Sequence, residues 1–183
     1  MNEDERQIVH ALVGVFAIAC VELAGVQLSA YLFGVILITG LVLVHLKLSG
    51  FSLGPLEMLV DRFDRPGVTP GYGAMTMVAG ILAILTLLSG KEAILASLFI
   101  LGVGDAASNI FGRRSMRKLP YSREKTWGGT LAFFLASLPA VYFAGWAAIP
   151  VAAAAAAVES MESRIDDNLS IAVVCVVLFR LIG

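Results

Sequence analysis

Charged residues and cysteines are scarce in this chain. Only 15% of its 183 residues are Asp, Glu, Lys or Arg, whereas 58% are hydrophobic. A soluble domain of this size needs a polar surface that such a composition cannot supply, which excludes that class. The two cysteines, Cys20 and Cys175, lie in separate apolar runs, where isolated thiols form neither a disulfide framework nor a metal site. The sequence therefore predicts an integral membrane protein.

Long polar stretches are also missing, so no part of the chain is polar enough to form a separate soluble unit. A membrane-spanning helix needs about 20 apolar residues. This criterion predicts an all-α, polytopic membrane helix bundle with about seven transmembrane helices, in a single domain over residues 1–183. The predicted segments are Ile8–Leu23, Val26–Leu46, Gly71–Leu88, Glu92–Phe111, Thr126–Ala144, Gly145–Met161 and Leu169–Ile182.

The basic residues favour one orientation in the membrane. If the segments alternate across the bilayer, nearly all Lys and Arg side chains fall on one side, and only Lys91 and Arg180 lie opposite. Cytoplasmic loops are enriched in these residues, so we expect this side, with the N-terminus, to face the cytoplasm. The acidic residues that could carry chemistry lie at the same face. We therefore predict a multi-pass protein whose site faces the cytoplasm.

Asp105 lies near the end of the fourth apolar segment, among small residues that let helices or a ligand approach. A carboxylate at this depth is costly unless it is paired. One interpretation is a helix-end acid satisfied by a nearby Arg. The interpretation that we favour is a ligand for a divalent cation, or a base that receives a hydroxyl proton.

A dense basic loop follows Asp105, and its cations can neutralise a phosphate chain. They are Arg113, Arg114, Arg117, Lys118, Arg123 and Lys125. Such clusters also anchor membrane orientation and touch anionic headgroups, and their number alone favours that simpler interpretation. The sequence Lys125-Thr126-Trp127-Gly128-Gly129-Thr130 shifts the balance toward a phosphate site. A Lys, a hydroxyl and two glycines opening a helix would present N–H groups and a positive dipole end to phosphate.

An acidic cluster ends the sixth segment and begins the seventh. It consists of four acids and one amide: Glu159, Glu162, Asp166, Asp167 and Asn168. Their oxygens could surround Mg²⁺ that is shared with substrate phosphates. The alternative is a solvated turn in which Asn168 caps the last helix, and for Glu162 we favour that alternative. Glu159 follows an apolar run directly, so we expect it to point into the bundle.

Two further features could contribute. His10 lies one helical turn after Arg6 and could transfer a proton near neutral pH, although a lone His is more often structural. The connection from Asp61 to Gly73 is rich in Pro, Gly and charge, which predicts either a lid or groove or a self-paired surface loop.

Taken in order, these motifs resemble the CTP-dependent polyprenol kinase family, the dolichol and phytol kinases, which are distantly similar to phosphatidate cytidylyltransferases. The resemblance covers most of the chain. It is carried by Arg6 with Val9-His10, Arg65-Pro66 with Pro70-Gly71-Tyr72-Gly73-Ala74, Gly104-Asp105 with Gly112-Arg113-Arg114, Lys125-Thr126 with Gly129-Thr130, and Glu159-Ser160 with Ile165-Asp166-Asp167-Asn168-Leu169. The chain differs from the family pattern at Gln7, where phytol kinases usually have Lys, and at Gly128, where dolichol kinases often have Glu.

The resemblance implies transfer of the CTP γ-phosphate to the terminal hydroxyl of a long isoprenoid alcohol at the cytoplasmic face, with Mg²⁺ as cofactor. Catalysis would involve Asp105, Lys125 and His10. The ligands for Mg²⁺ would be Asp105, Glu159, Asp166 and Asp167. The nucleotide and its phosphates would be bound by Arg113, Arg114, Lys118, Lys125, Thr126, Gly128, Gly129 and Asn168.

Several alternatives stay open. A cytidylyltransferase would use similar parts but transfer the whole cytidylyl group to a lipid phosphate. A small anion transporter is disfavoured because the acids gather at one face and no internal repeat is visible. A non-enzymatic headgroup-binding protein would need the basic loop but not the carboxylates. We expect the alcohol, CTP and the lipid bilayer as partners, no nucleic acid, and Gly and Ala faces that would allow a homodimer. The chain length of the alcohol and the choice of CTP over ATP stay open.

Overall fold

The computed structural model describes residues 3–54 and 69–182, and these residues form an all-helical structure without β-strands. The predicted all-α class is therefore confirmed for this part of the chain. The helices are α1 (Glu3–Ala24), α2 (Val26–Leu48), α3 (Tyr72–Leu87), α4 (Lys91–Phe99), α5 (Asp105–Gly112), α6 (Trp127–Ser137), α7 (Val141–Ala144), α8 (Ala148–Glu159) and α9 (Asp167–Ile182). Three short pieces complete them: a π-helical turn, Ile100–Gly104, and two 3₁₀ turns, Leu138–Ala140 and Gly145–Ala147.

Glycines with positive φ set two of the helix boundaries. Gly25, with φ of 82°, separates α1 from α2. Gly145, with φ of 59°, follows α7 and is the first residue of the 3₁₀ turn before α8. Residues with a Cβ rarely adopt this backbone conformation, so the chain changes direction at these points. α1 begins earlier than predicted because Glu3, Asp4 and Glu5 occupy its first turn, where acidic side chains favour a helix N-terminus.

Within residues 3–54 and 69–182, three mainly helical stretches are long and apolar enough to cross a membrane, and two of them include the breaks at Gly25 and Gly145. The three stretches are Glu3–Leu48, Lys91–Gly112 and Trp127–Glu159. α3 is apolar but shorter. In α2 only Ser29 and Phe33 are buried, so most of its apolar side chains face outward, as contact with lipid requires. These features fit a membrane protein, and the number of spans stays a prediction.

The core lies around α4 and the π-helical turn. Leu98, Ile100 and Leu101 are fully buried there and belong to the same apolar cluster as Phe133 of α6 and Ile171 of α9. Cys175 is also buried in this cluster with a free thiol, as its apolar setting predicted.

Small residues let the helices approach closely. A Cβ added to Gly14 of α1 would lie 2.7 Å from Cα of Gly102, and one added to Gly80 of α3 would lie 2.9 Å from the Asn168 carbonyl oxygen. Only glycine fits at such contacts. These approaches bring the N-terminal half of α1, the start of α5 and the start of α9 to one end of the bundle.

The predicted charged connection from Asp61 to Gly73 lies partly outside the described residues, which resume at Thr69. From there, the Tyr72 N–H donates to the Thr69 carbonyl at 3.1 Å, and Gly71 adopts a φ of 71° before α3 begins. Arg62 and Arg65 lie outside the described residues.

Candidate active site

Three of the predicted cation ligands come together. Asp105 is the first residue of α5, Glu159 is the last of α8, and Asp167 is the first of α9. One carboxylate oxygen from each lies within 4.8 Å of the others. Asp105 and Glu159 are buried, and Asp167 is half-buried. Three acids so close together need positive charge to be stable, from protons, a cation or a basic side chain.

Lys125 supplies positive charge to this cluster. Its Nζ lies 2.5 Å from Oε1 of Glu159 and 2.7 Å from Oδ2 of Asp167. Burial alone would lower the pKa of Lys125, but the neighbouring carboxylates of Glu159 and Asp167 raise it above its usual value. The side chain is therefore an ammonium at neutral pH, and it joins the basic loop to the acidic cluster.

Glu159 also accepts a hydrogen bond from Oγ of Ser108 at 2.9 Å. Its second oxygen, Oε2, is buried and has no hydrogen-bond partner among residues 3–54 and 69–182. A buried carboxylate oxygen without a donor is suited to a cation, and a set of carboxylates is the chemistry that Mg²⁺ prefers. The residues present therefore fit Mg²⁺, with Asp105, Glu159 and Asp167 as the side chains that would hold it.

Asp166, the fourth predicted ligand, has a different position. Its Oδ1 accepts the backbone N–H of Asn168 at 3.0 Å, and its carbonyl accepts the N–H groups of Leu169 and Ser170. Asp166 thus caps α9, whereas the sequence suggested Asn168 for this role. It lines the same cleft as Asp105 and Asp167 but does not belong to the group of three carboxylates.

Asn168 is buried with its amide held in one orientation. The Thr76 hydroxyl donates its one proton to the Gly73 carbonyl at 3.0 Å, so its oxygen must accept the bond from Asn168 Nδ2 at 3.2 Å. The amide oxygen is then left without a partner in the part of the chain that the structure describes. Because a phosphate oxygen needs a donor, this orientation favours a cation or a hydroxyl as the neighbour of Oδ1.

His10 and Asn109 flank Asp105. Nε2 of His10 lies 3.3 Å from Oδ2 of Asp105, and Nδ2 of Asn109 donates to Oδ1 at 3.1 Å. Asn109 also donates to the Asp105 backbone carbonyl at 3.0 Å. The structure thus brings His10 close to Asp105, the two residues that the sequence proposed for proton transfer, although Nε2 of His10 forms no hydrogen bond with the described residues. Asn109 is the residue that holds the Asp105 carboxylate.

A cleft of about 560 Å³ opens beside this group, lined by α1, α2, α5 and the N-terminal ends of α3 and α9. Its polar end contains His10, Asp105, Asn109 and Asp167. Its apolar wall is formed by Val9, Val13, Leu43, Val44, Met75, Met77 and Val78. Such a cleft suits a molecule with one polar end and a hydrocarbon body.

Two predicted phosphate ligands contact α1. Arg113 and Arg114 both pair with Asp4, the second at 3.1 Å, and Arg113 Nε also donates to the Asn109 carbonyl at 2.9 Å. Both guanidinium groups are exposed, and each carries five N–H donors, so donors remain for a phosphate. Lys118 is also exposed, and its Nζ donates to the Glu124 carbonyl at 3.1 Å.

The motif from Thr126 to Gly129 has a clear structural use. Thr126 caps α6, since its Oγ1 accepts the Gly129 N–H at 3.1 Å and donates to the Gly112 carbonyl at 3.2 Å. A Cβ on Gly128 would lie 2.7 Å from Cβ of Ser115. The hydroxyl and glycines therefore join α6 to the end of α5, and their contact with phosphate stays a prediction.

The sequence analysis did not single out Ser108 and Asn109, which the structure places near the site. They follow Asp105 by three and four positions, a spacing that puts all three residues on one helix face and could have indicated them. Glu162 was assigned to a solvated turn. It instead accepts three hydrogen bonds from residues 122–124 of the basic loop, and no sequence pattern predicts this long-range contact.

Comparison with known proteins adds the family. No model of a known protein family and no solved structure matches the chain. A protein of Methanocaldococcus jannaschii described as "Uncharacterized protein MJ1137" is 32% identical over 172 residues, which cover 92% of this chain and 88% of the relative. Proteins named "Probable phytol kinase, chloroplastic" match 91% of the chain, at 30% identity in Triticum aestivum and 27% in Zea mays.

The chain spans less than two thirds of the length of these plant relatives, 63% and 62%. The matched part nevertheless covers 91% of this chain. The match to the archaeal protein, by contrast, covers most of both chains. The chain therefore belongs to the family of the M. jannaschii protein, and its similarity to the plant proteins supports a phytol kinase-like family.

Proposed function

We propose that this protein is a CTP-dependent kinase that transfers the γ-phosphate of CTP to the terminal hydroxyl of a long-chain isoprenoid alcohol. The observation that carries the proposal is the cluster of Lys125 with the carboxylates of Asp105, Glu159 and Asp167. Two of these carboxylates, Asp105 and Asp167, line the polar end of a cleft with an apolar wall. Phosphoryl transfer requires mainly positioning and neutralisation of phosphate charge, and these groups supply both.

The cleft would bind the acceptor alcohol. The apolar wall of α1, α2 and α3 offers contact to the hydrocarbon chain, while the hydroxyl reaches Asp105 at the polar end. An isoprenoid longer than the cleft would extend into lipid, because the outward faces of these helices are apolar. Binding of the tail thus needs no separate aqueous pocket.

Asp105 would receive the hydroxyl proton on Oδ2 as the alcohol oxygen forms its bond to the γ-phosphorus and the bond to the CDP oxygen breaks. His10 is placed to share that proton, because its Nε2 lies 3.3 Å from the same oxygen. Asn109 holds the other oxygen of Asp105. General-base assistance of this kind contributes about 10²–10⁴-fold to a rate.

The phosphate chain of the donor would contact Lys125, with Arg113, Arg114 and Lys118 at the exposed side of the site. Mg²⁺ would neutralise charge on the phosphate oxygens. Asp105, Glu159 and Asp167 would hold it, with Asp166 and the oxygen of Asn168 near them at the same cleft. We propose that CTP binds at this cluster together with its Mg²⁺.

For the surrounding topology, we propose about seven spans with the site and the N-terminus at the cytoplasmic face. The basic loop and the acidic cluster then meet nucleotide from the aqueous side. A homodimer would form through exposed small and apolar faces of the bundle.

The test is a transfer assay with the full chain in liposomes, Mg²⁺ and a panel of isoprenoid alcohols. CTP labelled at the γ-phosphate should transfer label to a lipid product, and ATP should do so poorly. Label from α-labelled CTP in lipid, when a lipid phosphate is offered, would instead identify a cytidylyltransferase. If label enters lipid from neither γ-labelled nor α-labelled CTP, the kinase proposal is refuted.

A further inference from the structure

The carboxylate of Glu162 organises the turn that precedes Lys125. Its Oε1 accepts hydrogen bonds from Oγ of Ser122 at 2.7 Å and from the backbone N–H of Glu124 at 2.9 Å. The backbone N–H of Arg123 donates to the same oxygen. Three donors from consecutive residues thus converge on one oxygen, and such bonds to a charged acceptor are stronger than neutral ones.

The contact continues to Lys125 through Ser122. Oγ of Ser122, a buried side chain, accepts the backbone N–H of Lys125 at 2.8 Å and donates its own proton to Glu162. The hydroxyl therefore joins the carboxylate to the backbone from which the Lys125 side chain projects. Since Thr126 then begins α6 as its cap, the Lys125 backbone is held on both sides.

A second contact joins the segment of Lys125 to the segment of Glu159. The Tyr121 hydroxyl and Oγ of Ser160 lie 2.9 Å apart, and Ser160 directly follows Glu159. Residues 121–125 and 159–162 are thus connected at Tyr121 to Ser160, at Ser122 to Glu162, and at Lys125 to Glu159. A displacement of the basic loop would break all three contacts.

We propose that Glu162 is a positioning residue, which fixes the turn of residues 122–124 so that the Lys125 ammonium stays at the carboxylates of Glu159 and Asp167. The inference rests on the proposed function in taking Lys125 as the group that meets the transferred phosphate. Glu162 itself is exposed, lies outside the group of three carboxylates and need not touch a substrate. It acts through the backbone of the loop.

Chemical labelling of Lys125 tests the position of its ammonium without any substrate. The full chain in detergent is treated briefly with a water-soluble amine-reactive reagent, and the modified fractions of Lys125 and Lys91 are measured by mass spectrometry. Lys91 is an internal control, because it pairs with Glu22 in another part of the structure. In Glu162→Ala, labelling of Lys125 should rise about tenfold while that of Lys91 stays constant, because the bonds that hold the loop closed are lost.

Two further variants make the result specific. Glu162→Gln keeps an acceptor oxygen and should restore part of the protection of Lys125. Glu124→Gln removes a charge from the same loop and should label as the wild type does, since only backbone groups of Glu124 take part in these hydrogen bonds. If Glu162→Ala does not fold, the labelling of Lys125 in Glu162→Gln tests the proposal instead. Unchanged labelling of Lys125 in a folded Glu162 variant would overturn the proposal.

Kinetics separate a positioning role from a general loss of structure. In the transfer assay, Glu162→Gln should raise KM for the nucleotide by about tenfold and leave KM for the alcohol unchanged, since Lys125 meets the donor and not the hydrocarbon tail. Equal changes in KM for the nucleotide and KM for the alcohol would contradict the positioning role of Glu162. A wild-type protein without transfer activity would refute the proposed function, whereas the labelling result would still decide the role of Glu162.

Discussion

Oε1 of Glu159 lies 2.5 Å from the ammonium of Lys125. Glu159 ends α8 and Lys125 precedes α6, so this contact joins the two regions that the sequence separates as an acidic and a basic cluster. The Glu159 side chain is only 2% exposed, and that of Lys125 is 19% exposed. Removing one member of this pair should therefore cost more free energy of unfolding than breaking an exposed ion pair would.

Loss of one partner of this pair should destabilise the protein. We expect Lys125→Met to lower the free energy of unfolding by about 3 kcal/mol, because it leaves the buried Glu159 without its cation. The double variant Lys125→Met/Glu159→Gln should recover a large part of that loss. Thermal unfolding of wild type, Lys125→Met, Glu159→Gln and the double variant in one detergent measures the coupling. Strictly additive effects of the two single substitutions would show that the pair contributes no net interaction.

Replacement of the proposed base should remove activity while the fold remains. Asp105→Asn keeps the size of the side chain but cannot accept the hydroxyl proton, so kcat for phosphoryl transfer should fall by at least about 100-fold. Glu22→Gln is the matched control, because its partner is Lys91 and it lies away from the cleft. A kcat for Asp105→Asn within a factor of two of wild type, in the same transfer assay, would exclude Asp105 as the base.

Close packing of α6 against the loop that follows α5 should make Gly128 sensitive to substitution. In Gly128→Ala the new Cβ would lie 2.7 Å from Cβ and 2.8 Å from Oγ of Ser115, which predicts a loss of about 1–3 kcal/mol in unfolding free energy. Gly34→Ala adds the same methyl group to α2 where no heavy atom lies within 4 Å, and it should be neutral or mildly stabilising. Combining Gly128→Ala with Ser115→Gly should restore much of the melting temperature. A failure of Ser115→Gly to do so would place the strain elsewhere.

The turn held by Glu162 should make stability depend on acid pH. Hydrogen bonds from Ser122 and from the N–H groups of Glu124 and Arg123 lower the pKa of Glu162 below its usual value. A carboxyl with a lower pKa when folded stabilises the protein above its unfolded pKa, and that contribution is lost as the pH falls through the folded pKa. The melting temperature of wild type should therefore decline faster than that of Glu162→Gln as the pH falls below about 4.5. Parallel curves for the two proteins would show that Glu162 is not held in this way.

Much of the fold follows from local features of the sequence. Apolar runs predict most helices within a few residues, whereas α1 begins at Glu3 and not at the predicted Ile8. Among the described residues, three stretches are long and apolar enough to cross a membrane, and the predicted number of about seven spans stays a prediction.

For the site, the sequence alone determined which chemical groups are available, because acids, bases and a basic loop in so apolar a chain are few and lie near helix ends. It also indicated Asp105, Lys125, Glu159 and Asp167, since ionisable groups beside apolar runs are costly unless they are used. Only the tertiary structure decided how they combine. Asp166 caps α9, and the amide oxygen of Asn168 has no hydrogen-bond partner among the residues that the structure describes. The structure also decided that Glu162 holds the turn before Lys125. These outcomes depend on contacts between residues far apart in the chain, made possible by close approach of helices at small residues, and no local pattern encodes them.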